Sequence, residues 1–172
     1  MASVFSSYVK DSDPSIMFPL ETVKRALKVY HNEDDDEIES LIPVAIDLSE
    51  KYMKRLIGSS TVTVALDTGE SPFFMPYGNV TTIESVEIDG VESTGYTFNM
   101  HTQRFTINVP YKDIVIVCKA GLLNIPAAID RAVKFTVSTL YNSGQDFTTG
   151  VTVVSLPLKS SDMLEGYRYY VS

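Results

Sequence analysis

Tryptophan is absent from this 172-residue chain, cysteine occurs once and histidine twice. With Cys118 alone, no disulfide framework can close within the chain and no multi-cysteine metal site can be built. Cys118 lies in the apolar run IVIVC, where cysteine packs as a small hydrophobe, and no helix N-terminus or fixed cation stands near to activate it. His31 falls in a break between two helical runs and His101 in a turn between two strand-like runs. Both are places for surface residues rather than for a base or a ligand. Basic residues are also scarce, 14 against 22 acidic ones, giving a net charge of −8. Tight phosphate binding needs the reverse, so a general nucleic-acid binder is excluded, whereas a surface that DNA slides past is compatible with this charge. No run approaches the roughly 20 apolar residues that span a bilayer. Residues 1–8 show no basic segment leading into an apolar one, so no signal peptide is expected and the chain reads as soluble. The cysteine usage fits synthesis in a reducing cytoplasm. No acid–base pair or nucleophile stands out; an enzyme is not expected, nor a cofactor, nor a bound metal.

What the chain does have is two kinds of periodicity. Residues 1–18 are polar around Asp11, Asp13 and Pro14, show no sustained period, and read as a flexible N-terminal arm. Residues 19–58 read as a helical pair. Pro19 opens PLETVKRALKVY, with Val23, Ala26, Leu27 and Tyr30 on one face. A longer helix follows from about Asp34 to Ile57, with Ile38, Leu41, Ile42, Ala45, Leu48, Ser49, Tyr52 and Leu56 at steps of three and four. Its acidic start and basic end complement the macrodipole, Gly58 is a natural terminator, and Pro43 predicts a kink. At Ser59 the period drops to two, and residues 59–121 read as an inserted β module, with Asp89-Gly90 and His101–Arg104 as connections and Pro72–Val80 as an irregular crossing. Residues 122–155 hold a third helix from Pro126, with Ile129, Ala132, Val133, Thr136 and Leu140 on its buried stripe, then a loop; the helix is expected to pack on 19–58. In residues 156–172 a short final helix is expected, with Ser161 as cap and Leu164 as anchor. The fold class is α+β: a small helical bundle, about three long helices plus a short C-terminal one, with an inserted antiparallel β-sheet or sandwich.

Three local patterns carry possible chemistry. Asn32, Asp34 and Asp36 alternate as in a calcium loop, but Glu37 stands where that loop needs glycine and Pro43 where it needs glutamate. An acidic helix start explains the run better. Asn79-Val80-Thr81 is a glycosylation sequon by its letters only. Three of the ten tyrosines, Tyr167, Tyr169 and Tyr170, crowd the last six residues. Such a cluster serves either an intersubunit contact or a tail that folds back over its own core.

The stretch PLETVKRALKVYHNEDDDEIESLIPVAIDLSEKYMKRLIG resembles the N-terminal helix pair of tailed-bacteriophage head–tail connector proteins (adaptor or head-completion proteins). MPYGNVTTIESVEIDG is similar to their proline-rich crossing, strand and DG turn; VIVCKAGLLNIPAAIDRAVKFTVSTLYNS resembles their junction into a third helix; LPLKSSDMLEGYRYY resembles their closing segment. The likeness spans about residues 19–172, with departures at Pro43 and at the 144–154 loop. It implies a structural virion protein of the neck, made in the host bacterial cytoplasm, that forms a homo-oligomeric ring, typically a dodecamer, between portal and tail. Such a ring extends the DNA channel, lets DNA pass without specific binding, and presents a docking surface to a tail-side stopper or tail terminator. On this resemblance residues 156–172 are a portal-docking segment, with Leu156, Leu158, Leu164, Tyr167, Tyr169 and Tyr170 as candidate contacts. Asp34, Asp35, Asp36 and Glu37 are candidates for channel-facing charge, the alternative being a solvated helix start. Two further readings stay open: another neck or tail component whose β module serves stacking, and a small ligand-binding module using Phe73, Phe74 and Tyr77.

Overall fold

Period-two alternation builds one unit of the protein and period-3.6 stripes build the other. The computed structural model describes residues 3–67, 71–144 and 157–170. It separates into a β unit of residues 1–11, 54–123 and 169–172, and a helical unit of residues 12–53 and 124–168.

Among the described residues the β unit contains eight strands: β1 (Ser3–Lys10), β2 (Ser60–Asp67), β3 (Phe73–Phe74), β4 (Val80–Ile88), β5 (Val91–Glu92), β6 (Tyr96–Asn99), β7 (Arg104–Ile107) and β8 (Asp113–Ala120). They form a five-stranded sheet in the order β1-β2-β8-β4-β5 and a three-stranded sheet in the order β3-β7-β6, every pair antiparallel. Val62, Val64 and Leu66 of β2 lie opposite Cys118, Ile116 and Ile114 of β8, and all six are buried. They share one apolar core with Phe105 and Ile107 of the smaller sheet, against which Phe73, Tyr96 and Phe98 pack. Tyr96 and Phe73 stack on Phe105 at centroid distances of 5.0 and 5.3 Å. Asp89 and Gly90, both at positive φ, make the tight turn into β5 that the Asp-Gly pair predicts.

Two side-chain amides hold the irregular crossing before β4. Asn79 is buried, donating to the Leu56 carbonyl at 2.7 Å and accepting from the Leu56 amide at 3.2 Å. Gln103 clasps the backbone of Val80 in the same way, at 2.9 and 3.0 Å. The sequon asparagine is therefore an internal brace.

The helical unit contains α1 (Pro14–Met17), α2 (Leu20–Leu27), α3 (Asp35–Met53), α4 (Ala127–Gly144) and α5 (Leu158–Leu164), followed by a single 3₁₀ turn, Glu165–Tyr167. Ile38, Ile42, Ala45, Ile46 and Met53 of α3 and Ile129, Ala132, Val133 and Val137 of α4 are buried. α3 packs on α4, and α2 and α5 also lie against α4.

Several expectations are revised. The class is α+β, but only α3 and α4, of 19 and 18 residues, are long; α2 has 8, so there is no bundle of three long helices among the described residues. α2 stops early because Lys28 turns left-handed at φ 62°, and α3 stops at Met53 because Lys54 does so at φ 53°, ahead of Gly58. Residues 3–10, expected to be a flexible arm, pair along their whole length with β2, and the β unit is therefore larger than an insert at 59–121. α5 begins at Leu158 with Pro157 as its cap; Ser161 lies inside it and donates to the Leu158 carbonyl at 2.7 Å. The loop expected through 145–155 falls outside the described residues.

Cys118 sits inside the β-unit core, where burial, and secondarily the charge of Glu84, pushes its thiol up to about 12. A disulfide-exchange reagent at pH 8 should therefore leave native protein unmodified and titrate one thiol per chain after unfolding. The folded state holds this proton more tightly than the unfolded chain, so stability should decline as pH climbs from 9.0 toward 12. Denaturant midpoints across that window should fall less for Cys118→Ala than for the wild type.

Candidate functional site

The residues with a predicted role fall in two places, the acidic start of α3 and the C-terminal segment. α3 opens on Asp35, Asp36 and Glu37, where carboxylates face the unpaired amides and positive end of the helix. The four acidic candidates then divide. Asp34 accepts a hydrogen bond from the Tyr141 hydroxyl of α4 and lies 3.6 Å from His31 Nε2. Asp35 pairs at 2.5 Å with the buried ammonium of Lys24, which also donates to the Asn32 side chain at 2.8 Å. These two carboxylates thus fasten the start of α3 to α2 and α4. Asp36 and Glu37 are exposed. Of the Asn32-Asp34-Asp36 alternation, Asn32 is accordingly taken up by Lys24 and Asp34 by Tyr141, while Asp36 stays exposed.

The C-terminal segment divides the same way. In the helical unit, Leu164 is fully buried and Ser160 is buried against α4, sharing a 2.9 Å hydrogen bond with Thr136 and donating to the Ala132 carbonyl at 3.2 Å. Glu165 accepts from the Tyr52 hydroxyl, and the Arg168 guanidinium lies 5.1 Å from the Tyr52 ring centre. Tyr167 is half-buried. Leu158, by contrast, is 84% exposed. In the β unit, Tyr169 is 9% exposed and its ring fills the space beside Gly78, where any Cβ would come within 2.3 Å of it. Its hydroxyl pKa is raised by that burial. Tyr170 is 60% exposed. Leu156 lies outside the described residues.

Leu164 and Tyr169 therefore belong to the protein's own packing, and among the described residues the exposed members of the set are Leu158 and Tyr170. The glycine that receives Tyr169 is the signal sequence reading missed: Gly78 lies 91 positions away and shows no local pattern that announces its partner.

The outer face of the small sheet forms, with Tyr169 and Tyr170, an open concavity of about 960 Å³ lined also by Phe74, Phe98, His101 and Arg104. Of the three aromatics considered for ligand binding, only Phe74 lines it. Phe73 is stacked on Phe105, and Tyr77 packs edge-on against Tyr8 at 5.8 Å. No described helix is long and apolar enough to cross a membrane.

No protein-family model matches the chain, and no curated protein matches it. Solved structures do. A chain from the virion of a native gene transfer agent particle aligns at a TM-score of 0.72 and 15% identity, covering 96% of both chains. A chain from the neck of an empty gene transfer agent particle, computed with C6 symmetry, aligns at 0.70 and 15% over 96% of this chain and 97% of that one. A chain from the neck of a native particle, computed with C12 symmetry, aligns at 0.69 and 15% over the same shares. The likeness is one of fold.

The Lys24 pairing makes a direct prediction. Removing its ammonium leaves the partly buried Asp35 carboxylate without its cation. Lys24→Ala should cost about 2 kcal/mol in denaturant unfolding, allowing for the partial exposure of Asp35, whereas Asp36→Asn and Glu37→Gln should each stay within about 0.5 kcal/mol.

Proposed function

We propose that this chain is a non-enzymatic structural subunit of the virion neck of a tailed phage or phage-like particle. In this reading it forms a homo-oligomeric ring, a dodecamer, between the portal and the tail. The observation that supports it is the whole-length fold likeness to neck chains of gene transfer agent particles, two of them computed with cyclic symmetry. The motif order shared with head–tail connectors supports it independently.

Each part of the molecule takes a role consistent with its exposure. Asp36 and Glu37, left exposed beside two carboxylates engaged internally, are the charges able to line a DNA channel. The acidic balance lets DNA move past without the counterion release that makes phosphate contacts tight. Leu158 and Tyr170 are the most exposed of the described candidates in the closing segment, and this reading assigns them the portal contact. The tail-side stopper or terminator would bind the opposite end of the ring.

Deleting residues 157–172 is a poor test, because it also removes Ser160, Leu164 and Tyr169 from the folded units. Point changes separate docking from folding. Leu158→Ser and Tyr170→Ser should leave the melting temperature within a degree or two and reduce co-sedimentation with portal-bearing capsids about tenfold or more. Full retention by the double variant would remove portal docking from this segment.

A further inference from the structure

A ring built from one chain needs a head-to-tail contact, in which two different surfaces of each copy meet and close by rotation. The five-stranded sheet has two unlike ends. At the β5 end, β4 is interrupted by register shifts around Thr81 and Glu84, carries Glu84 and Glu87, and is partly covered by the two-residue β5. Bulges, charge and short covering strands are the usual means by which an edge is kept from pairing with another chain.

Among the described residues, the β1 end has no bulge, no acidic side chain and no covering strand. Ser3–Lys10 pairs with β2 over eight consecutive residues without a register shift, and no described strand lies on its other side. The strand contains no proline and no acidic residue, and its one charge is the terminal Lys10. The Asp11 carboxylate fixes the end of this strand, accepting from Thr61 at 3.0 Å and Lys119 at 3.1 Å. A long, regular, unprotected edge on an ordered strand marks an interface or an aggregation site.

The register also says which backbone groups face outward. The Asp11 amide donates to the Ser59 carbonyl, and each residue of β1 opposes the residue of β2 that continues this register. Antiparallel ladders alternate, so odd-numbered residues bond to β2 and Ser6 directs its N–H and C=O away from it. Phe5 and Val9, 69% and 71% exposed, stand beside this edge on the outer face of the sheet, next to Ala65 and Thr61. Open polar backbone flanked by exposed apolar side chains is what strand addition uses: main-chain hydrogen bonds for affinity, alternate side chains for fit.

We propose that the outer edge of β1, with Phe5 and Val9, is one half of the contact between adjacent copies, receiving an extended segment of a second copy of this chain. The inference rests on the ring reading above and deepens it by naming the surface.

Ser6→Pro tests it on the full-length chain. Proline removes the outward N–H, and an edge strand tolerates it where the N–H does not belong to the ladder. Ser7→Pro, whose N–H points at β2, should instead unfold the strand. Self-association is read by sedimentation and backbone protection by hydrogen exchange on assembled and dilute protein. We expect wild-type rings with slowed exchange across residues 4–8, and Ser6→Pro that melts like wild type but associates at least about tenfold more weakly. Should Ser6→Pro melt early, Phe5→Ser, which leaves the backbone intact, decides by the same measurement. Rings of undiminished strength in the variants, with unprotected residues 4–8, would overturn the surface while leaving the ring reading intact. Assembly that stops at a two-fold dimer would overturn it too. A wild type that stays monomeric at every concentration would bring down both.

Discussion

The β unit depends on β8. This strand has β2 on one side and β4 on the other, and its inward residues Ile114, Ile116, Cys118 and Ala120 are all buried. A slip of one residue would turn all four outward and bring Val115, Val117 and Lys119 into the core, so the register is strongly specified. The exit from β8 is equally constrained. Gly121, at φ 137°, passes so near the Gly58 carbonyl that a Cβ would sit 1.7 Å from its oxygen. With both edges of β8 used, the sheet can end only farther out, and its two ends are chemically different.

The helical unit shows how one charged run can be divided between folding and function. Asp34 and Asp35 are drawn inward by Tyr141 and Lys24, while Asp36 and Glu37 on the same turn stay in water. The closing segment repeats the division: Ser160 and Leu164 complete the packing of α4, and Tyr169 fills the place that Gly78 leaves. Only side chains that the fold does not consume are available to partners. That physical distinction reduces a run of acids and a cluster of tyrosines and leucines to a few candidates.

Much of the fold is legible wherever the stabilising contacts are local. The stripe Ile38-Ile42-Ala45-Ser49 announces α3, Ile129-Ala132-Val133-Thr136 announces α4, and alternation over 60–66 and 114–120 announces β2 and β8. What stays hidden depends on distant partners. SVFSSYVK looks like a polar arm until Thr61–Asp67 lies beside it, more than 50 residues away. Lys28 and Lys54 end their helices in a left-handed conformation that residue preferences assign to glycine, so both helices run long when read from sequence. The candidate docking residues are leucines and tyrosines, side chains common to core and interface alike, and only exposure separates Leu158 from Leu164.

Cyclic closure is the property that the whole account requires. Cryo-electron microscopy of the purified chain incubated with portal-bearing capsids tests it most directly. The account predicts a single closed ring of this chain, of twelve-fold symmetry, seated on the portal vertex. Capsids whose portals remain bare beside monomeric protein would contradict it.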